Sequence, residues 1–258
     1  MANGCISVER ILSKLDEHLG RNDYAAAERH LCYWLSEAEE GGDGRTELLM
    51  RNELMGLYRK TARKDEALDS ADAALSAIRR MGVDEQVGAA TTYLNAATVY
   101  KAFGMAERSM PLFERARSIY ERELDENDDR LGGLYNNMAL SLVDLCRFSE
   151  AYELYSKAIS VMEKAEGGAL EVAITYLNIA SAKEVELGLL DADEEINLYL
   201  DRAQELLDAN MSDDGYYAFV CEKCASVFGY YGRFLYDAEL KERARKRLLP
   251  RQTRLSRR

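Results

Sequence analysis

Small side chains recur at a fixed interval of 42 residues: Ala67, Ser109 and Ala151 form one series, and Ala74, Ala116 and Ala158 a second. A period of this size is the mark of a supersecondary unit copied along the chain. Inside one copy, YLNAATVYKAFGMAERSMPLFERARSIYE, the apolar residues Tyr93, Ala96, Ala97 and Tyr100 fall at helical spacing. Gly104 then interrupts, and a second stripe follows through Leu112, Phe113, Ala116, Ile119 and Tyr120. Two amphipathic helices this short cannot bury their own apolar faces, so each copy must stack on its neighbours.

Composition points the same way. Prolines stand only at positions 111 and 250, Ala, Leu, Glu and Arg dominate, and alternating β-branched runs are missing, so the chain reads as all helix. With 258 residues and 47% hydrophobic content it can bury a substantial core. The start, MANGCISVER, has an acid at Glu9 and no long apolar run, which argues against a secretory leader; no stretch reaches membrane-spanning length. Five cysteines at irregular spacing suit free thiols in a reducing cytoplasm better than a disulfide framework.

The small residues at helix crossings, the aromatic near the end of the first helix, and the series Ser109–Phe113–Ala116 and Ala151–Tyr155–Ala158 resemble the tetratricopeptide repeat (TPR). The 42-residue period and the phrase MPLFERA are similar to the longer repeats of kinesin light chains, with Pro111 placed in the first turn of a second helix. The resemblance implies a right-handed TPR α-solenoid of about six helical hairpins, at approximately 5–40, 45–81, 87–124, 129–166, 168–209 and 213–249. The step from Ala158 to Ala203 is 45, so three extra residues in the fifth unit are expected to form a longer loop or an extra turn. A basic tail, 250–258, is expected to be disordered.

Asparagine recurs inside the apolar first helices, at Asn95, Asn137 and Asn178, 42 and 41 residues apart. Short polar residues accompany it: Thr98, then Asn136 and Ser141, then Thr175 and Ser181. Asn52 stands in a similar place one repeat earlier. By the resemblance, first helices line a concave groove, which makes these residues candidates for peptide binding. A carboxamide can bond the N–H and C=O of one peptide unit at once, whatever its side chain. The competing role is structural: an Asn at a helix seam can bond the adjacent repeat and fix its stacking. Tyr58, Arg59 and Lys101 are weaker groove candidates.

Other features carry less chemistry. Cys221 and Cys224 form a lone C-x-x-C with no second pair or nearby His, which reads as interior packing rather than a metal site. The acidic runs DEND (125–128) and DADEE (191–195) lack an EF-hand's spacing and read as solvated loops. No phosphate loop, nucleophile elbow or catalytic histidine constellation is present in the sequence, so no enzyme, cofactor or metal is expected. Residues 241–258 hold nine bases and one acid, while 1–240 hold 25 bases against 45 acids, a division of +8 and −20. An acidic body favours a neutral or basic protein or peptide ligand over nucleic acid or membrane. The expected function is a cytoplasmic, non-catalytic scaffold recognising an extended or helical segment in its groove. The alternative is a peptide-responsive regulatory sensor acting through a partner protein.

Overall fold

The breaks between apolar stripes hold residues that start and stop helices, and in a computed structural model of the chain they do both. The structure describes residues 7–248; the basic tail 250–258 lies outside the described residues. Up to Leu124 the chain forms one unit with α1 (Val8–Gly20), α2 (Tyr24–Gly41), α3 (Gly44–Lys60), α4 (Lys64–Met81), α5 (Val87–Ala102) and α6 (Ala106–Glu123). From Asp125 a second unit holds α7 (Asp129–Asp144), α8 (Phe148–Met162), α9 (Ala169–Leu187), α10 (Asp193–Ala209), α11 (Gly215–Tyr230) and α12 (Phe234–Leu248). Asp23, Asp43 and Asp214 cap α2, α3 and α11, accepting the N–H of Ala26, Thr46 and Tyr217 at 3.0, 3.1 and 2.7 Å. Each satisfies a donor that the first turn leaves unpaired. Gly42 and Gly82 end α2 and α4 at φ of 69° and 65°, a left-handed conformation that strains any other side chain.

Consecutive helices pair as hairpins, α1 with α2 through α11 with α12. Within the first unit α3 packs on both α2 and α5, and α4 on α5; within the second, α9 packs on α7, α8 and α11. The residues of the two small series are buried at 0% exposure: Ala67, Ser109, Ala151, Ala74, Ala116 and Ala158. Nothing larger fits where two helix backbones approach this closely. Within the first unit, aromatics near the ends of α3 and α5 then stitch the second and third hairpins to the one before. Tyr58 donates to Glu28 (3.0 Å) beneath the Arg63 guanidinium, which lies 4.7 Å from the ring and itself reaches Glu28. Tyr100 donates to Asp72 in the same way, with Arg108 at 4.1 Å over its ring. Tyr58 is therefore a buried stacking residue, not a groove candidate.

One expectation is corrected in detail and another is made specific. Pro111 is the sixth residue of α6, inside the helix and not in its first turn, so one intrahelical bond is forgone there. The three extra residues of the fifth unit divide between one more residue at the end of α9 and a connection of 188–192, against 145–147 between α7 and α8.

Tyr155 tests the packing. It is wholly buried and, among the described residues, its hydroxyl has no hydrogen-bond partner; burial pushes its pKa up, with the Asp144 charge adding to the effect. Tyr155→Phe removes a desolvated group without opening a cavity, so it is expected to stabilise the protein by about 1 kcal/mol. An increased urea midpoint at unchanged slope would show it; a lowered midpoint would reveal a partner for that hydroxyl.

Candidate functional site

Buried faces set the register that decides which asparagines correspond. Tyr58 and Tyr100, and Tyr93 and Tyr135, are pairs 42 apart; on that register Asn52, Leu94, Asn136 and Asn178 form one column. Asn95 and Asn137 belong to the adjacent column with Glu53 and the buried Ile179. Asn95, Asn137 and Asn178 are thus not one equivalent series, as the 41-residue step between the last two already implies.

The two columns meet across neighbouring first helices. In the first unit Asn95 Nδ2 donates to Asn52 Oδ1 (3.0 Å), and Asn52 Nδ2 donates to Thr92 Oγ1 (3.0 Å), joining α3 to α5. In the second unit Asn178 Nδ2 donates to Asn136 Oδ1 (3.1 Å), joining α7 to α9. Asn137 instead donates to the carbonyl of Gly133 on its own helix at 2.8 Å. All five carboxamides are half-buried. Asn52 is in register with Asn136 and Asn178, and it bonds Asn95 of the adjacent column.

These bonds do not exhaust the carboxamides, each of which has two N–H donors and an acceptor oxygen. Among the described residues Asn95 and Asn178 use one donor apiece and leave the carbonyl oxygen open. Of the accompanying residues, Thr98 and Ser181 are half-buried and turn their hydroxyls back to the carbonyls of Leu94 (2.8 Å) and Leu177 (3.2 Å). Ser141 and Thr175 are corrected: at 0% and 2% exposure they are enclosed and do not line an open surface.

Beside the Asn52–Asn95 pair, a cavity of about 890 Å³ opens between the N-terminal halves of α3 and α5. Leu48, Leu49, Met81 and Ala89 give it an apolar wall, and Asn52 and Thr91 its polar edge. Gly44 shapes it, since a Cβ there would stand 2.0 Å from the Met81 sulfur. Glu53 lies next along α3, half-buried; burial, with the Asp16 charge in support, holds its carboxyl above the usual range. A cationic neighbour would relieve it. The sequence did not reveal this cavity, because its wall comes from three separated segments.

Cys221 and Cys224 lie one turn apart on α11 at 0% and 1% exposure. Burial pushes the Cys224 thiol up to about 12, which makes it a packing group rather than a nucleophile. Among the described residues no three His, Cys, Asp or Glu side chains gather as a metal ion requires. Nor is any described helix long and apolar enough to cross a membrane.

No family model matches the sequence, and no curated protein matches it. The fold is similar to that of BtubC (BKLC) from P. vanneervenii, with a TM-score of 0.66 and 21% identity over 78% of this chain and 80% of that one. It is similar to a Podosopora anserina putative kinesin light chain of nearly identical TPR-like repeats (TM-score 0.54, 16% identity, 83% and 99% covered). It is similar also to the apo form of the quorum sensor NprR from B. thuringiensis (0.55, 15%, 95% and 66%). Paired helices on a 42-residue period and these likenesses together make the chain, in fold, a TPR-type repeat protein.

Proposed function

We propose that the chain is a non-catalytic scaffold that binds a peptide segment of another protein on its first-helix faces. The observation that carries this reading is the 890 Å³ cavity between α3 and α5, with Asn52 in its lining and, bonded to Asn52, Asn95 with its carbonyl oxygen open among the described residues. An apolar wall with a few convergent polar groups is the usual make-up of a binding site. A side chain of the ligand enters the cavity, while Asn95 and Asn52 grip its backbone. The raised Glu53 carboxyl and the acidic body favour a neutral or basic segment. Free thiols at Cys32 and Cys146, both exposed, support a reducing cytoplasmic setting. Likeness to a quorum sensor favours the second reading, a peptide-responsive regulator that signals through a partner.

The test is selection of displayed random peptides on the wild-type protein, followed by affinity measurements on Asn52→Ala/Asn95→Ala. Losing the seam bonds costs the fold about 1–2 kcal/mol, so the variant remains folded. Its affinity for selected peptides is expected to fall at least about tenfold. Failure to enrich any peptide, or equal affinity for the two proteins, would refute the assignment.

A further inference from the structure

The last hairpin leaves an aromatic surface uncovered. On α11, Tyr216, Phe219 and Tyr230 are 44%, 51% and 68% exposed, and the rings of Tyr216 and Phe219 stack at 6.4 Å. Behind them stand two half-buried carboxylates of α9. Tyr216 donates to Glu171, and Tyr230 and Tyr231 donate to Glu184 at 2.6 and 2.7 Å. Among the described residues neither carboxylate is in an ion pair; phenols hold them, and phenols do not cancel charge. Flat aromatic faces beside carboxylates complement a guanidinium, which stacks on the one and bonds the other.

A segment with that chemistry follows α12 directly. Residues 249–258, LPRQTRLSRR, contain four arginines and no acid. Because α12 runs antiparallel to α11, its C-terminal part lies beside the start of α11: Phe228 packs on Tyr236 at one end, and Arg243 donates to Tyr217 (3.1 Å) at the other. The segment therefore departs near Tyr216. Ten extended residues reach about 33 Å. From Tyr216 to Tyr230, α11 advances only about 21 Å.

We propose that residues 249–258 occupy the α9–α11 face of their own chain, with arginine side chains over the Tyr216 and Phe219 rings and against Glu171 and Glu184. The contact is separate from the α3–α5 cavity and does not rest on the peptide-binding reading. It gives the acidic second unit a built-in basic occupant, which an outside ligand for this face must displace. Since the segment is tethered, its effective concentration is in the millimolar range even where each contact alone is weak.

Trypsin cleavage after Arg251 and Arg254 in the full chain, followed by mass spectrometry, tests the contact. Cleavage is expected to be at least about fivefold slower in wild type than in Glu171→Gln/Glu184→Gln, which keeps the tyrosine hydrogen bonds but removes both charges. At about 0.5 M salt, where screening acts within about 4 Å, the difference should shrink. A synthetic peptide of residues 249–258 should bind the chain shortened to residue 248 more tightly than the full chain, and Phe219→Ala should weaken that binding. Equal cleavage in the two full-length proteins, or equal peptide affinity for full and shortened chains, would overturn the proposal. A dimer that vanishes on shortening would also overturn it, by placing the segment on a second copy.

Discussion

Phe228→Ala is expected to lower the stability of the second unit by about 3–5 kcal/mol, the range for deleting a wholly buried phenyl ring. The ring is 0% exposed and meets Tyr236 edge to face at 4.7 Å. It sits in a continuous cluster of α9 to α12 that includes Ile174, Leu177, Leu200, Tyr217 and Leu240. Cys221 and Cys224 belong to the same cluster, and they supply the readout. In wild type a thiol reagent should label the exposed Cys32 and Cys146 quickly and leave the buried pair intact. In the variant, Cys221 and Cys224 should be labelled at a rate set by opening of the terminal hairpins, because each repeat is held only by its neighbours. Retained protection of both thiols, with an unchanged denaturation midpoint, would mean that the core closes around the vacancy.

The hairpins are legible in the sequence because their demands are local and steric. Alanine or serine must stand where two helices cross, and Ser109 meets that demand as well as Ala67 or Ala151 does. Phe113 and Tyr155 fill the next turn for the same reason. The asparagine columns were harder to read, because a slip of one residue turns a side chain by about 100° around the helix. That slip separates Asn137, bonded within its own helix, from Asn136, which accepts from Asn178. Polarity misled at Ser141 and Thr175. A hydroxyl can satisfy itself on the carbonyl four residues back, as Thr175 does on Glu171, so a short polar residue tolerates burial that a charge would not. The cavity between α3 and α5 was invisible for a further reason: Leu49, Met81 and Ala89 are neighbours only after the hairpins stack.

Acid should loosen that same cavity through Glu47. This residue of α3 is 4% exposed, yet charged, and accepts from Arg51 Nε at 3.1 Å and Arg80 Nη2 at 2.5 Å. Burial by itself would raise its pKa; the two guanidiniums outweigh burial and hold the carboxyl below the ordinary value of 4.5. The folded form therefore binds the Glu47 proton less readily than the unfolded chain does. The stabilisation is present above the unfolded value of 4.5 and is lost as pH falls through the lower, folded value. Glu47→Ala is expected to cost about 2 kcal/mol at neutral pH, less than a fully enclosed ion pair, because Arg80 retains much of its water and Arg51 still has Glu39. Stability curves of the variant and wild type should converge as pH falls below 4.5 and through the lower, folded value. A gap that stays constant with pH would assign the loss to packing instead of charge. Thr46 and Leu48, the residues on either side of Glu47, line the cavity, so protonation should also weaken peptide binding there, and the Glu47→Ala protein should show that weakness already at neutral pH.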